Sequence, residues 1–502
     1  MGPWRPSIYR THDVQTPSPE PGAVTSLVEA VSSCSTRLKA DPYNARLWTE
    51  RADHYLQLNY PELAVGDAYR AKLLFERADA ATENHKETSK SSEEVAVPDE
   101  QTRIHAYTIL GQALYDCHCH WECFEFWLEL TQAKRYSQLS RLAFTKANAL
   151  KQLLAQKKQA AAPYGGTAQQ QRDRLHDGSV ITVHYPWMAE RHRSRSPEVV
   201  EGVNGELQHN VQPPALRLGN STLSSIPTDM LGMFATRDIK KGECILIDRT
   251  ATGAVSRPPT TPHCETCYDT PLTSPITAPC CAALFCTPVC RDLALDTYHR
   301  ALCGQDFSWL LTPAAPLHEN ASPMRPLLLL RFLALCVACG PHTHPLSHPL
   351  IARLTPLANI GHLDVFTLRE SVATPFQILT QLGIDIYLDH RFDTPVLHTL
   401  WTRLANNKAG SYDPALGFVD TVTPLLPLFN HSCDPSVEYR KEGGTTTVRF
   451  FALRDVKAGE EVFDSYQDVE GLERGERVRA MWPWFERACL CERCESEAAE
   501  VS

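Results

Sequence analysis

The fold is decided by the sequence NHSCDP at residues 430–435, taken together with GEEVFDSY at 459–466 and CLCERC at 489–494. The first piece is a polar turn between apolar segments, and the second is a strand-like run that ends in a phenol. The third has the pattern CxCxxC, which is one thiolate short of a tetrahedral zinc site. Cys433 can supply the fourth thiolate, so a metal ion would join the C-terminal tail to the turn.

This order of motifs resembles the catalytic half of the SET lysine methyltransferases, including their post-SET zinc knuckle. The resemblance implies that Asn430 and His431 meet the cofactor S-adenosylmethionine, partly through backbone groups. It implies that the hydroxyl of Tyr466 orients the substrate amine and that its ring borders the methyl-transfer channel, which makes Tyr466 the candidate catalytic residue and also a cofactor neighbour. The implied ligands of the knuckle zinc are Cys433, Cys489, Cys491 and Cys494.

Methyl transfer requires little chemistry from side chains, because the sulfonium of the cofactor already activates the methyl group. The protein must align the amine with the methyl, exclude water and let the lysine ammonium lose its proton. An unperturbed tyrosine ionises near pH 10, so proton loss to solvent through a water path is favoured over Tyr466 as a general base. Glu460 and Glu461 are interpreted as solvated turn residues rather than as a catalytic carboxylate pair.

The segment 231–246 predicts a hairpin, because a glycine turn and a strand are followed by a Lys-Gly turn and a second strand. It resembles the opening hairpin of the SET fold, whose backbone lies against the methionine end of the cofactor. The resemblance adds Gly232, Met233 and Phe234 to the candidate cofactor-binding residues, and glycine permits close approach of the backbone. Most of the family has a second glycine at the position of Met230.

Two further cofactor contacts are implied by position. In the family an asparagine about 24 residues before the turn touches the cofactor, and Asn406 has that spacing. An aromatic ring two positions before the first knuckle cysteine stacks on adenine in the family, whereas this chain has Arg487 there. Phe485, or Trp484, can take that role from one turn earlier. Ser436 stands where the family has asparagine, which shortens one hydrogen-bonding side chain of the turn.

A dense cluster of ligand residues at 264–303 predicts two interleaved zinc sites in a reducing compartment. It resembles a MYND zinc finger, whose interleaving implies one structural site with four cysteines and a second site with three cysteines and a histidine. The pair at 280–281 departs from the family's CxxC spacing, and adjacent thiolates share a metal only through a strained turn. The implied sets are Cys264, Cys267, Cys286 and Cys290, and Cys280, Cys281, His299 and Cys303, which with the knuckle makes about three zinc ions.

Composition bounds the class of protein. The chain has 502 residues, 43% apolar and 22% charged, which predicts a globular protein of two or three domains. Its net charge of −10 argues against nucleic-acid binding by bulk phosphate attraction and favours a lysine-rich protein partner. The N-terminus lacks a signal-peptide pattern and the apolar stretch 327–339 is too short to span a bilayer, so we expect no membrane association and a location in the nucleus or cytoplasm.

Helical patterning before residue 160 resembles tetratricopeptide repeats, with large and small residues spaced as in those repeats from 45 to 78 and again from 104. A plain helical domain remains the alternative. Either would form a brace or a surface for protein partners. The basic run 191–195 is compatible with a nuclear-import signal or a solvated linker, and the apolar segment 185–188 is expected to pack on a neighbouring domain. The pair Cys336 and Cys339 is expected to be core.

The predicted fold is α+β: a split SET β-fold with an inserted MYND zinc finger and a helical insertion, preceded by an all-α domain. The layout resembles the SET and MYND domain-containing protein-lysine methyltransferases. The predicted segments are 1–25 disordered, 26–160 helical, 161–215 linker, 216–260 first SET half, 261–304 zinc finger, 305–400 helical insertion, 401–470 catalytic SET half and 471–502 post-SET knuckle.

The resemblance implies methyl transfer from S-adenosylmethionine to the side-chain amine of a protein lysine, in a histone or another protein. One alternative is an adaptor with a weak or inactive SET core that binds protein partners through the zinc finger and the helical repeats. The departures at Met230, Ser436 and Arg487 favour the adaptor, whereas the retained Tyr466 and turn 430–431 favour the enzyme. A zinc-dependent nucleic-acid binder is disfavoured by the acidic balance.

Overall fold

The computed structural model describes residues 21–87, 100–133, 136–161, 178–223, 230–257, 261–311, 324–356, 363–442, 446–485 and 488–499. Within these ranges helices and strands both contribute to the fold, which confirms the predicted mixture. None of the helices described is long and apolar enough to cross a bilayer. The prediction of disorder for 1–25 falls mostly outside the described residues, and the first helix already begins at Pro21.

Six helices occupy the described part of 21–161. They are α1 (Pro21–Ala40), α2 (Ala45–Gln57), α3 (Pro61–Glu87), α4 (Glu100–Asp116), α5 (His120–Leu130) and α6 (Ser137–Ala161). The side chain of Asn44 caps α2 by accepting from two backbone N–H groups of its first turn, and proline opens α3. Neighbouring helices pack in sequence, with Ala52, Ala64 and Ala71 fully buried between them. The helical domain is therefore as expected, while its classification as tetratricopeptide repeats stays a prediction.

Buried charges join these helices to the later part of the chain. Arg51 on α2 donates from Nε to Asp67 on α3 at 2.6 Å and from Nη2 to Asp393 at 2.7 Å. Arg70 on α3 donates to the backbone carbonyls of Ile386 and Phe392 at 3.2 and 3.1 Å. Because both guanidinium groups are fully buried and bonded to residues 386–393, the helical domain is fixed onto the helical insertion.

Ten further α-helices follow within the described residues, and α11 contributes to the hydrophobic core. They are α7 (Glu190–Arg193), α8 (Pro197–Asn210), α9 (Pro288–Asp296), α10 (His299–Leu302), α11 (Met324–Ala338), α12 (Pro349–Arg353), α13 (Thr374–Gln381), α14 (Thr394–Asn406), α15 (Arg474–Phe485) and α16 (Glu492–Ala499). Helix α11 packs against α10, α13 and α14. On it Cys336 is buried as expected, but Cys339, just beyond its end, is exposed, which corrects its assignment to the core.

The prediction of a linker at 161–215 is wrong from residue 178 onward. This stretch contains a short strand, α7 and α8. Tyr185 and Trp187 lie against the ring of Tyr60, with centroids 5.8 and 5.0 Å away, which confirms that this apolar segment packs on a neighbouring domain. The low apolar content of the sequence around it concealed these tertiary contacts.

In the part of the chain that the structure describes, fourteen strands form five small sheets. They are β1 (Ser179–Ile181), β2 (Leu216–Asn220), β3 (Leu231–Ala235), β4 (Cys244–Arg249), β5 (Thr252–Val255), β6 (Ile276–Thr277), β7 (Leu284–Phe285), β8 (Leu363–Val365), β9 (Ala409–Asp413), β10 (Gly417–Val422), β11 (Asn430–His431), β12 (Val437–Lys441), β13 (Thr447–Ala452) and β14 (Glu461–Asp464). The sheets have the orders β11-β14-β3-β2, β12-β13-β4, β5-β10-β9, β1-β8 and β6-β7. Strands before the cysteine cluster thus pair with strands after it.

The predicted hairpin at 231–246 is wrong in its pairing. β3 pairs with β2 and β14, whereas β4 pairs with β13 in another sheet. The connection 236–243 is longer than the roughly two to five residues typical of hairpin loops. Ile239 in its middle bridges to Val456 instead. The two strands were identified, but β14 and β13, with which β3 and β4 pair, lie about 200 residues or more away along the chain.

Candidate active site

A cavity of about 530 Å³ opens where the ends of β11 and β14 meet β9 and α15. Its volume is within the range of about 300–1,000 Å³ of small-molecule sites. The wall is lined by His184, Arg195, Met230, Leu231, Thr355, Pro356, Ala405, Asn407, Lys408, Ala409, Gly410, Asp420, Leu426, Pro427, Asn430, Tyr439, Asp464, Ser465, Tyr466, Gln467, Asp468, Trp484 and Phe485.

Asn430 reaches this wall from the centre of a buried hydrogen-bond network. Its Nδ2 lies 2.8 Å from Oε1 of Glu461 and 3.0 Å from the carbonyl oxygen of Leu231. Glu461 is 3% exposed, and it also accepts from the backbone N–H of Thr222 at 2.7 Å and from the hydroxyl of Ser221 at 2.9 Å. The interpretation of Glu461 as a solvated turn residue is therefore wrong, because its carboxylate fixes the asparagine.

The need for glycine at position 232 comes from this hydrogen-bond network rather than from the cavity. A Cβ at Gly232 would lie 2.0 Å from Oε1 of Glu461 and 3.0 Å from Nδ2 of Asn430, so no larger residue fits. Gly232, Met233 and Phe234, three of the predicted cofactor neighbours, are absent from the described cavity wall. Their places in it are taken by Met230 and Leu231, because the side chain of Met233 points into the hydrophobic core.

His431 lies behind the wall and does not line it. Its Nδ1 accepts from the backbone N–H of Tyr466 at 3.1 Å, and its Nε2 is 3.3 Å from the sulfur of Cys433. The ring also lies against those of Tyr466 and Phe485, with centroids 5.3 and 5.8 Å away. The predicted contact residue therefore positions two wall residues and connects them to the cysteine turn.

Tyr466, Asn430 and Phe485 are the predicted residues that the structure brings together in the wall. The hydroxyl of Tyr466 donates to the carbonyl oxygen of Phe429 at 3.0 Å, which leaves the lone pairs of the phenol oxygen to accept a further donor. Burial, and then the charge of Asp464, raises the pKa of Tyr466 above its usual value. The phenol consequently stays protonated at neutral pH and is a positioning group rather than a base.

Asn406 ends α14, but its side chain is not among those described; its neighbour Asn407 lies in the wall. Asn407 donates from Nδ2 to the carbonyl of Thr355 at 3.0 Å and accepts from its N–H at 2.8 Å, so it fastens Thr355 to the cavity. Arg487 lies outside the described residues, while Trp484 lines the wall beside Phe485.

The sequence did not point to the charged residues of the wall, which are Arg195, Lys408, Asp420, Asp464 and Asp468. Arg195 belongs to the basic run that we assigned to a linker or an import signal, and Asp464 was overlooked within the strand-like run before Tyr466. Asp464 is 6% exposed, and burial raises the pKa of its carboxyl to about 7. The two-residue spacing of Asp464 and Tyr466 was a usable signal, because alternate residues of a strand share a face.

The cysteine turn and the tail meet next to the cavity. The ligand atoms of Cys433, Cys489, Cys491 and Cys494 all lie within 4.8 Å of one another and are buried. The sulfurs of Cys433 and Cys494 are 3.6 Å apart, near the separation of about 3.8 Å that Zn–S bonds of about 2.3 Å in a tetrahedron require. Arg493 donates to the carbonyl of Cys433 at 3.1 Å and helps to hold the tail.

The other two predicted ligand sets are also gathered, each with its ligand atoms within 4.8 Å. In the all-cysteine set, Cys286 lies 3.5 Å from Cys267 and 3.4 Å from Cys290. In the second set, the adjacent pair Cys280 and Cys281 reaches the same Nε2 of His299, at 3.3 and 3.4 Å. Neither of the adjacent cysteines has a positive φ, so the strained turn that we expected is not needed. With thiolate and imidazole donors, all three groups fit zinc.

Comparison with known proteins identifies the central region. The SET domain family matches residues 230–467. SmydA-8 isoform A of Drosophila melanogaster, a SET domain-containing protein, is 25% identical over 55% of this chain and 56% of its own length. The N-lysine methyltransferase SMYD2-B of Danio rerio is 30% identical over 24% of this chain and 28% of its own.

Further similarities cover less. The histone-lysine N-methyltransferase SET5 of Yarrowia lipolytica is 37% identical over 14% of this chain and 16% of its own length. A crystal structure of the SET domain of LSMT bound to lysine and AdoHcy has a TM-score of 0.29 and 10% identity, over 58% of this chain and 57% of that one. The chain spans between 16% and 56% of the length of SET5 and SmydA-8. Residues 230–467 are a SET domain, and the chain is similar to SmydA-8 and to the N-lysine methyltransferase SMYD2-B.

Proposed function

We propose that this protein transfers a methyl group from S-adenosylmethionine to the side-chain amine of a protein lysine in the cavity beside Tyr466. The observation that carries the proposal is the convergence of Asn430, Tyr466 and Phe485 on one cavity next to the four-cysteine cluster. Asn430 is on β11, Tyr466 follows β14 and Phe485 ends α15, and the SET domain match covers the first two.

The wall offers groups suited to the cofactor. Trp484 and Phe485 supply aromatic rings for the adenine, Leu231 and Met230 supply apolar surface, and Asn430 supplies a fixed polar group. When bound, S-adenosylmethionine supplies a methyl group activated by a sulfonium. Tyr466 accepts a hydrogen bond from the lysine amine while its own hydroxyl remains bonded to Phe429, which orients the amine lone pair.

The three cysteine-rich groups are proposed as structural zinc sites. In each, protein atoms provide four ligands, so none leaves a position open for a reactive water. Zinc at Cys433, Cys489, Cys491 and Cys494 would hold α15 against the cavity and thereby keep Trp484 and Phe485 in place. The acidic balance of the chain, with a net charge of −10, favours a basic substrate, whether a histone or another lysine-rich protein in the nucleus or cytoplasm.

The test is methyl transfer with tritium-labelled S-adenosylmethionine and core histones as a lysine-rich probe. We expect label on lysine with the unaltered chain, and a loss of about 10²-fold with Tyr466→Phe, because the amine is no longer aligned. Tyr412→Phe is the control, since this exposed tyrosine on β9 is not in the described wall. Cofactor binding without any transfer would favour the adaptor, and no cofactor binding at all would contradict the proposal.

The adaptor alternative predicts a free surface on the helical domain. Part of that domain is already bonded to residues 386–393 of the same chain through Arg51 and Arg70, and Glu122 on α5 accepts from the backbone N–H groups of Leu368 and Arg369. An opening of about 310 Å³ lies between α4, α5 and α6, lined among others by Tyr115, Trp127 and Lys146. Partner binding by this surface is compatible with catalysis elsewhere and does not replace it.

A further inference from the structure

The cavity wall carries a buried carboxylate two residues before Tyr466. Asp464 is 6% exposed at the end of β14, where its carbonyl accepts from the N–H of Ser432 at 2.9 Å. That bond fixes the backbone, so the position of the carboxylate in the wall is determined by the parallel pairing of β14 with β11. Burying a charged carboxylate to this degree without a partner costs free energy.

The other charges of the wall are engaged or exposed. Lys408 forms an ion pair with Asp420, so these two wall charges neutralise each other. Asp468 is exposed. Among the ion pairs within the described ranges, Asp464 has no cationic partner. Arg195 is the remaining wall cation, and its charge acts on Tyr466. Asp464 is thus the buried carboxylate of the wall with which the cation of a bound substrate can pair.

Two phenol rings of the wall accompany this carboxylate. The charge of Asp464 contributes to the raised pKa of both Tyr439 and Tyr466, which shows that both rings are within electrostatic reach of it. Both tyrosines line the cavity. Aromatic faces attract ammonium ions, and a carboxylate beside them adds an acceptor for the N–H groups. This combination matches a lysine side chain that enters as an ammonium.

We propose that Asp464 binds the substrate lysine as its ammonium and takes the proton that must leave before methyl transfer. This inference rests on the proposed function of the cavity. In the step, one N–H bond of the ammonium breaks, its electron pair stays on nitrogen, and the proton is bonded to a carboxylate oxygen of Asp464. The amine is then neutral and the carboxyl is neutral, and the proton passes to water at the cavity mouth to complete the cycle.

The environment of Asp464 suits this exchange. A carboxyl in water has a pKa of about 3.9 and holds a proton too weakly to compete with lysine. Burial raises the pKa of Asp464 to about 7, so near neutral pH it is charged enough to attract the ammonium and basic enough to accept its proton. The neighbouring phenols of Tyr439 and Tyr466 are protonated at that pH, and Arg195 is another charged group of the wall, whose charge acts on Tyr466.

The first test measures binding apart from catalysis. Isothermal titration calorimetry compares a lysine-containing peptide with the same peptide carrying norleucine, in the presence of S-adenosylhomocysteine. We expect the unaltered chain to bind the lysine peptide at least about tenfold more tightly, a difference of about 1.4 kcal/mol, and Asp464→Asn to bind both alike. Glu470→Gln, an exposed acid of the same segment outside the described wall, is the control and keeps the preference.

The second test measures the proton. We expect kcat/KM for the lysine peptide to rise with pH through about 7, and Asp464→Asn to lower it about 10²-fold at pH 7. In that variant the rise of kcat/KM moves toward about pH 10, where lysine loses its proton without a base. Equal peptide preference in both chains, or an unchanged pH profile, overturns the inference.

The two hypotheses fail differently. Absence of S-adenosylhomocysteine binding in the unaltered chain contradicts the proposed function itself. Normal cofactor binding in Asp464→Asn with unchanged lysine preference contradicts only the role of Asp464. If the variant does not fold, the affinities of the unaltered chain for the lysine and norleucine peptides remain a test. Equal affinity for both peptides means that no carboxylate binds the ammonium, which overturns the inference.

Discussion

Two regions of this molecule bury charge, and they treat it differently. Between α2, α3 and the insertion, Arg51 is bonded to both Asp67 and Asp393. The guanidinium carbons of Arg51 and Arg70 each lie 4.9 Å from the centroid of the Trp48 ring. Burial opposes ionisation of Asp393, but the charges of Arg51 and Arg70 outweigh it and hold the pKa of that carboxyl at about 2. Every charge there has its opposite beside it.

The cavity wall is the contrasting region. Burial raises the pKa of Asp464 to about 7, and the described residues place no cation against it. The difference indicates what each region does. A fully paired buried network fixes two parts of the chain together, whereas an acid that is buried beside aromatic rings and a cavity is prepared to meet an outside charge. We expect changes in the first region to affect stability and changes in the second to affect activity.

The largest effect is expected from the sulfur cluster that closes the cavity. Cys433→Ser removes one ligand of the set, so the zinc content should fall from three to two per chain, and the tail should detach from the turn. Methyl transfer should be lost with it, because Trp484 and Phe485 leave the wall. Atomic absorption and the tritium assay measure the two losses. Cys339→Ser, an exposed cysteine outside the sets, should change neither.

Breaking the paired network should come next. Asp67→Ala leaves Arg51 and Arg70 buried with one carboxylate fewer, which should lower the free energy of unfolding by about 3–5 kcal/mol. Activity per folded molecule should stay the same. Denaturant unfolding measures the change. Glu50→Ala, which removes a partly exposed partner on α2 of Arg37 on α1, should cost about 0–1 kcal/mol. Equal losses in both variants would contradict the contrast.

A smaller effect is expected at the network that holds Asn430. Glu461→Gln keeps the shape but replaces a carboxylate oxygen with an N–H group facing the donors of Asn430 and Thr222. We expect a loss of about 1–3 kcal/mol in unfolding free energy and weaker binding of S-adenosylhomocysteine. Glu460→Gln, on the exposed side of the same turn, is the matched control. Unchanged cofactor affinity in Glu461→Gln would mean that the position of Asn430 does not contribute to cofactor binding.

The last effect is a pH-dependent gain of stability in Asp464→Asn. Because the folded state raises the pKa of Asp464 to about 7, it holds the proton more tightly than the unfolded state, and the wild-type protein loses stability as pH rises from about 4 to 7. Asp464→Asn lacks this loss. Its melting temperature relative to the wild type should therefore be higher at pH 8 than at pH 5. The same difference at both pH values would mean that the carboxyl is not perturbed.

The sequence was informative wherever chemistry fixes spacing. The three ligand sets that the structure brings together were all predicted, because metal-binding cysteines and histidines occur in short, recognisable patterns. The convergence of Asn430 and Tyr466 followed from a family resemblance in the same way. Both predictions rest on local motifs, even though the Cys433 set spans distant parts of the chain.

Long-range contacts account for what the sequence did not reveal. The partners of β3 and β4 lie beyond the insertion, so a local hairpin pattern gave the wrong pairing. Glu461 looks like a polar turn residue until Asn430 and Thr222 surround it. Arg195 reached the cavity from an apparently solvated basic run, since only the tertiary fold shows which neighbours bury it.

The central claim is that the cavity beside Tyr466 is the cofactor site, and calorimetric titration with S-adenosylhomocysteine tests it most directly. A bulky substitution in the wall, Ala409→Trp, is compared with Ser411→Trp, an exposed position of the same strand outside the described wall. We expect one bound molecule per chain for the wild type and Ser411→Trp, and none for Ala409→Trp. Equal binding by all three chains would place the cofactor elsewhere and contradict the account.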